Sequence, residues 1–201
     1  MLEVKDATIA IGGKTLVEGL SFIARDGKLT CLTGSEGSGK TMFIRTLMGF
    51  LPVKEGFVSV DGELLTVHSA HAFRKMMVYL PQQIQMLRHH LSPDACLQSY
   101  EADEYAVWNA VLPIVEPERE PEPLSPDDIF LLAERTIREA ADRQIIIADE
   151  PAAHLSPELT LRMIALLKEQ ASQGKTVLIA SRRPQVVAQG NQVINLDTLG
   201  K

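Results

Sequence analysis

The apolar positions of the chain follow two patterns that alternate along its length. Runs of four or five mostly apolar residues predict buried strands, and the spacing i, i+3, i+4, i+7 predicts amphipathic helices. The predicted core strands are 29–33, 144–148, 176–180 and 192–196, and the predicted helices are 44–51, ended by Pro52, 127–142 and 157–173. Strands that alternate with helices indicate an α/β fold with a mainly parallel sheet and helices on both faces.

The segments before and after the first predicted helix are typical of short strands joined by turns. Leu2 and Val4 alternate with charged residues, 12–14 is a Gly-Gly-Lys turn, and 20–24 is a further strand. Residues 56–62 predict one more strand with its turn. We expect these segments to form an N-terminal antiparallel β portion beside the parallel sheet.

The middle of the chain differs in composition. Six of the eleven prolines lie between Pro93 and Pro126, and 94–112 has the pattern of one helix. We predict a small inserted helical lobe at about 88–139, and a core formed by 1–87 and 140–201. The whole chain is then a single domain, as its 201 residues allow.

The composition excludes several classes of function. Twenty basic residues against 26 acidic residues give a formal net charge of −6, which argues against a nucleic-acid-binding protein. Cys31 and Cys96 are too few for a disulfide framework, so we expect a reducing, cytoplasmic environment. No apolar run approaches the roughly 18 residues of a membrane span, and the first residues lack the pattern of a signal peptide. We therefore expect no membrane insertion.

A glycine-rich loop lies between the predicted strand 29–33 and the predicted helix 44–51. It fits the pattern G-x-x-x-x-G-K-[ST], whose backbone N–H groups surround the phosphates of a nucleotide. Lys40 would bind the β- and γ-phosphates of a nucleoside triphosphate, and Thr41 would bind Mg²⁺. A chance glycine-rich turn fits less well, because the flanking strand and helix are those that the motif requires. The predicted nucleotide-binding residues are Gly34, Ser35, Glu36, Gly37, Ser38, Gly39, Lys40 and Thr41.

Two carboxylates follow the predicted strand 144–148, at the end of the strand where α/β proteins bind ligands. Asp149 would hold Mg²⁺, and Glu150 would orient or deprotonate the attacking water. By itself such a strand end is often only a solvated turn. Together with the Lys40 loop, it predicts a site that binds a nucleotide with Mg²⁺ and activates water.

With these motifs in this order, the chain resembles the ATP-binding subunits of ABC transporters over nearly all of its length. Asp149-Glu150-Pro151 matches the D-E-P of that family, and Val78-Tyr79-Leu80-Pro81-Gln82 resembles its glutamine loop. The resemblance implies that Gln82 contacts Mg²⁺ or the attacking water and couples the site to the helical lobe. It implies catalytic roles for Lys40, Gln82 and Glu150, and Mg²⁺ ligation by Thr41, Gln82 and Asp149.

The resemblance also implies partners, since ATP-binding subunits of this family act on a separate membrane permease. We expect a permease subunit and a second ATPase subunit, either identical or different. Such a complex would place the chain in the cytoplasm, at the inner face of a membrane.

Four positions depart from the family pattern. Leu124-Ser125-Pro126-Asp127-Asp128 stands in place of the LSGGQ signature, which meets the γ-phosphate bound on the opposite subunit. Ser156 replaces an aspartate at the dimer contact, Arg182 replaces the switch histidine, and Ile11 replaces the aromatic residue that stacks on adenine.

These departures predict a weakened site. Pro126 lacks an N–H donor, and Asp127 and Asp128 place negative charge where a phosphate should bind. Ser125 with Asp128 instead predicts a capping box at a helix start. Arg182 can stabilise phosphate charge but cannot shuttle protons.

Two functions of different classes remain. The first is the nucleotide-binding subunit of an ABC-type transport complex with slow ATP hydrolysis, which Glu150 favours. The second is a regulatory or structural module that binds nucleotide with negligible turnover, which the charges at Asp127, Asp128 and Arg182 favour. A P-loop kinase fits poorly, because Gln82 and the 149–151 segment are ordered as in ABC proteins.

Overall fold

The computed structural model describes residues 1–84 and 124–198 of the chain. Its strands are β1 (Leu2–Ile11), β2 (Lys14–Ala24), β3 (Leu29–Thr33), β4 (Glu55–Val60), β5 (Glu63–Leu64), β6 (Met77–Leu80), β7 (Ile145–Asp149), β8 (Thr176–Ala180) and β9 (Gln192–Asn195). Its helices are α1 (Lys40–Leu47), α2 (Ala70–Lys75), α3 (Pro126–Glu139), α4 (Pro157–Ser172) and α5 (Pro184–Val187), with a short 3₁₀ helix at Leu196–Thr198.

The described strands form two sheets. The antiparallel sheet has the order β2-β1-β4-β5, and the parallel sheet has the order β6-β7-β8-β3-β9. Both sheets were predicted from the sequence, and the predicted α/β fold class is confirmed. The strand β2 is longer than predicted, since it begins at Lys14 rather than at residue 20.

The strands β6, β7, β8 and β3 of the parallel sheet are buried on both faces, while the edge strand β9 is mostly exposed. Every residue of β7 and β8 is buried, and β3 is buried from Leu29 to Leu32, which explains why these strands are continuous apolar runs. One face packs against α1 and the antiparallel sheet, where the rings of Phe22 and Phe43 lie 5.9 Å apart. The other face packs against α3 and α4.

The helix α1 ends at Leu47, earlier than the prediction of a helix that continues to Pro52. Gly49 adopts a left-handed backbone with φ 75°, its N–H donates to Thr46 O, and the N–H of Phe50 donates to Arg45 O. This pair of bonds is a Schellman motif, which closes a helix. A side chain at Gly49 would also meet the Cβ of Ala70 at 2.6 Å. The apolar spacing beyond Leu47 therefore belongs to the turn and not to the helix.

The predicted helical lobe falls mostly on residues 85–123, which lie outside the described residues. Its described part is α3, which places Ile129, Phe130, Ala133 and Ile137 in one apolar cluster with residues of β6 and β7. The division into core and lobe stays a prediction. Within 1–84 and 124–198, no helix has the length and apolar character needed to cross a bilayer.

Candidate functional site

A cavity of about 360 Å³ lies at the carboxyl-terminal edge of the parallel sheet. Because the strands are parallel, the segments that follow β3, β6, β7 and β8 all emerge at this edge. The cavity brings together most of the predicted site residues with two apolar neighbours from β2 and α1. Its lining residues are Leu16, Glu36, Gly37, Gly39, Lys40, Thr41, Met42, Gln82, Asp149, Glu150 and Arg182.

The loop 34–39 between β3 and α1 is held in shape by the side chain of Lys40. The Lys40 Nζ donates hydrogen bonds to Gly34 O at 2.8 Å, to Ser35 O at 2.8 Å and to Ser38 Oγ at 3.2 Å. Gly39 caps α1 with φ 92°, a left-handed conformation that favours glycine. The ammonium group is thus preorganised in the loop, with its positive charge beside the cavity.

Asp197 also supports this loop, and the sequence motifs did not identify it. Its carboxylate accepts hydrogen bonds from Ser35 N at 2.7 Å and from Ser35 Oγ at 2.8 Å. Asp197 follows β9, whose carboxyl end lies at the same edge of the sheet as that of β3. The only sequence signal for it is a carboxylate directly after a predicted core strand.

Asp149, the last residue of β7, is buried, with 1% of its surface exposed. Among the described residues neither carboxylate oxygen has a hydrogen-bond partner of good geometry, and the nearby Thr41 hydroxyl provides only a weak one. Burial raises the pKa of Asp149 above its ordinary value, and the charge of Glu150 adds to the rise, while Thr41, Arg45 and Lys40 oppose it. Two free, hard oxygens beside the hydroxyl of Thr41 are the donors that Mg²⁺ prefers, so these residues fit that ion.

The buried charge of Asp149 predicts a gain in stability for Asp149→Asn in the nucleotide-free protein. Because its folded pKa is raised above the ordinary 3.8, stability is lost as the pH rises from 3.8 through the folded pKa. At pH 7 we expect the substitution to add on the order of 1 kcal/mol, or about 2–4 °C in melting temperature. The exposed Glu18→Gln, which removes a carboxylate charge far from a buried partner, is the control. A lower melting temperature for Asp149→Asn would show that attraction by Lys40 and Arg45 outweighs burial.

Glu150 is hydrogen-bonded to Arg182, which follows the neighbouring strand β8. The carboxylate accepts hydrogen bonds from the backbone N–H of Arg182 at 3.1 and 3.3 Å, from its Nε at 3.3 Å and from Ser181 Oγ at 3.3 Å. Glu150 also has φ 47°, a left-handed conformation that is uncommon for a residue other than glycine and frequent at functional sites. Both oxygens of the predicted catalytic carboxylate are therefore engaged.

Arg182 contacts the phosphate loop as well. Its Nη1 lies 2.9 Å from Glu36 Oε2, so one guanidinium bridges Glu36 and Glu150 across the cavity. Gln82, two residues beyond β6, is exposed and lines the same cavity. The sequence placed Arg182 at the switch position but gave no sign of its contact with Glu36.

A family model described as ABC transporter matches residues 17–153. The chain belongs to the ABC transporter family. An uncharacterized ABC transporter ATP-binding protein of Haemophilus influenzae is 27% identical over 98% of this chain and 80% of its own length. A probable multidrug resistance ABC transporter ATP-binding/permease protein of Bacillus subtilis is 24% identical over 98% of this chain. The chain spans only 31% of that second relative.

Solved ABC structures share the fold of this ABC domain. An ATP-binding cassette of an ABC transporter in its ADP conformation gives a TM-score of 0.71 at 18% identity, with 97% of this chain and 86% of that chain covered. A bacterial Atm1-family ABC exporter with ATP bound gives a TM-score of 0.72 at 19% identity, with 100% of this chain and 38% of that chain covered.

The residues at the start of α3 in this ABC domain stabilise the N-terminus of that helix. Ser125 caps α3, its Oγ accepts a hydrogen bond from Asp128 N at 3.2 Å, and the same Oγ donates to Asp128 Oδ2 at 2.5 Å. The predicted N-cap at Ser125 is confirmed, but the Asp128 carboxylate accepts from the Ser125 hydroxyl and not from the Ser125 backbone N–H that a capping box requires. Asp127 and Asp128 lie exposed in the first turn, where their charge suits the helix dipole.

The other two altered positions of the ABC pattern also have structural explanations. Ser156 caps α4 and accepts a hydrogen bond from Leu159 N at 3.2 Å. Ile11 ends β1 and does not line the cavity, whereas Leu16 does. Among the described residues that form the cavity wall there is no aromatic side chain, so adenine would have no ring to stack on there.

Proposed function

We propose that the chain is the Mg·ATP-binding subunit of an ABC-type transport complex and that it hydrolyses ATP slowly. The observation that carries this proposal is the convergence of Lys40, Thr41, Gln82, Asp149 and Glu150 on one cavity. The relatives support it, since they include ATP-binding proteins of ABC transporters and a hemin import ATP-binding protein.

Each residue has a role that follows from its chemistry. The loop 34–39 and Lys40 would bind the phosphates, with the ammonium exchanging its loop oxygens for phosphate oxygens. Thr41, Asp149 and Gln82 would hold Mg²⁺, which supplies positive charge that offsets the charge of the phosphates. Glu150 would orient the attacking water or accept its proton.

The contacts of Glu150 support slow turnover. To act on water, this carboxylate must give up at least part of its hydrogen bonding to Arg182 and Ser181. Arg182 is permanently charged and cannot take up a proton during the reaction. These same contacts favour the second candidate, a module that binds nucleotide with negligible turnover.

The partners in this proposal are a membrane permease and a second ATPase subunit. Some relatives combine the two activities in their names, as in the ATP-binding/permease proteins of Bacillus subtilis and Mycobacterium tuberculosis. One neighbouring structure is a dimeric ATP-binding cassette bound to ADP and Pi. A subunit bound to a permease would lie on the cytoplasmic face of the membrane.

Steady-state ATPase assays test the catalytic part of the proposal. We expect the isolated protein to turn over Mg·ATP at least about tenfold below the roughly 10 s⁻¹ typical of enzymes, and Glu150→Gln to remove what remains. The exposed Glu18→Gln is the matched control and should keep the wild-type rate. Fast turnover that Glu150→Gln abolishes would contradict slow hydrolysis, and no turnover in any variant would favour the binding module.

A further inference from the structure

The bridge from Glu36 to Arg182 connects the phosphate loop to the segment after β8. Glu36 is 89% exposed and belongs to the loop whose backbone would surround the phosphates, while Arg182 is 44% exposed and also contacts Glu150. All three side chains line the same cavity as Lys40. The guanidinium of Arg182 thus has an acidic partner on each side and lines the cavity of about 360 Å³.

We propose that Glu36 is a specificity-determining residue that competes with the nucleotide for Arg182. In the free protein, Glu36 holds the Nη1 end of the guanidinium at 2.9 Å. A terminal phosphate bound at Lys40 offers the same guanidinium a stronger acceptor, so Arg182 leaves Glu36 for ATP. ADP lacks that phosphate and leaves the Glu36–Arg182 pair closed. This inference rests on the proposed function, because it requires that Lys40 binds a triphosphate.

The relative strengths of the two contacts favour the exchange. An ion pair between exposed side chains changes a binding constant by at most about fivefold, because water screens it. An arginine–phosphate contact is charge-assisted on both sides and can be bidentate, which is worth about tenfold or more. Glu36 therefore reduces the preference of the site for ATP over ADP without abolishing that preference.

Binding measurements on the wild type and three variants test the competition. Calorimetry would compare Mg·ADP with a non-hydrolysable Mg·ATP analogue in the wild type, Glu36→Gln, Arg182→Gln and the double variant. We expect Glu36→Gln to raise the preference for the ATP analogue about threefold to fivefold, and Arg182→Gln to lower it about tenfold. In the Arg182→Gln background, Glu36→Gln should change the preference by less than twofold, since no arginine is left to release.

The controls separate competition from a general effect of charge. Glu63→Gln removes the same charge from the antiparallel sheet, outside the cavity lining, and should leave the preference unchanged. The proposal is overturned if Glu36→Gln has no effect, if it acts equally with and without Arg182, or if Glu63→Gln acts as strongly. A wild type that binds neither nucleotide overturns the proposed function itself, and this inference with it.

Discussion

Replacing Lys40 by alanine is expected to weaken Mg·ATP binding by about 10- to 100-fold. A hydrogen bond to a charged group contributes about 1.5–3 kcal/mol, and Lys40 would make such bonds with the phosphates. The side chain also donates three hydrogen bonds within the loop 34–40, so its removal loosens the loop before any nucleotide arrives. Titration with a fluorescent nucleotide measures the effect.

The exposed Lys14→Ala is the control for the loss of one positive charge near the turn between β1 and β2. It should bind Mg·ATP as the wild type does. Equal binding of Mg·ATP by Lys40→Ala and the wild type would refute the assignment of the loop 34–39 as the phosphate site.

The second large effect is expected from restoring the signature segment at the start of α3. In the family arrangement implied by the sequence, Pro126, Asp127 and Asp128 would face the ATP held by the opposite subunit. Like charges about 4 Å apart repel by about 1 kcal/mol in water and about 4 kcal/mol at an effective dielectric of 20. Pro126→Gly with Asp127→Gly and Asp128→Gln should therefore strengthen ATP-driven dimerisation at least about fivefold.

The structure favours this set of replacements. Asp128 is the third residue of α3, a position where glutamine can accept from the Ser125 backbone N–H while the Ser125 hydroxyl keeps its N-cap bond. The triple variant should thus keep α3, which far-UV circular dichroism would check. Sedimentation in a Glu150→Gln background measures dimerisation without turnover. If dimerisation stays at the wild-type level while α3 is intact, repulsion at this segment does not limit closure.

Turnover should need a second change, because Arg182 lies on the same subunit as the ATP that it faces. Adding Arg182→His to the triple variant replaces a fixed charge by a group that can exchange a proton near neutral pH. We expect the combined variant, with Glu150 intact, to hydrolyse ATP at least about tenfold faster than the triple variant alone.

A second ATPase subunit with an intact signature segment would supply that segment to the ATP held by this chain, but it would not replace Arg182. We therefore propose that a mixed dimer stays slow and retains ATP at one site.

The strands that carry the site could be predicted because their chemistry is local. The apolar runs of β3, β7 and β8 are continuous, since both faces of the sheet are buried, and the loop before Lys40 has a recognisable spacing. The end of α1 could not be predicted from apolar spacing, because Gly49 ends the helix inside a pattern that continues to Leu51. The strand β6 has only four residues and was identified only as part of the glutamine loop.

The contacts that distinguish this site could not be predicted, because they join distant parts of the chain. Arg182 and Glu36 are separated by 146 positions, and Asp197 and Ser35 by 162. No spacing rule connects such pairs until the sheet order is known. The sequence placed Arg182 at a functional position, but its two acidic partners follow from the order of β7, β8 and β3 in the sheet.

The position of β3 in the sheet also determines when the phosphate loop can form during synthesis. The neighbours of β3 are β8 and β9, whose paired residues lie at 177–180 and 192–195. The ribosome makes the loop 34–39 well before the strands that fix its base and before Asp197, which holds Ser35. Pairing of distant segments is slow, and unpaired strand edges aggregate. The nascent chain must therefore carry an unfinished nucleotide site until residues 177–197 have been made.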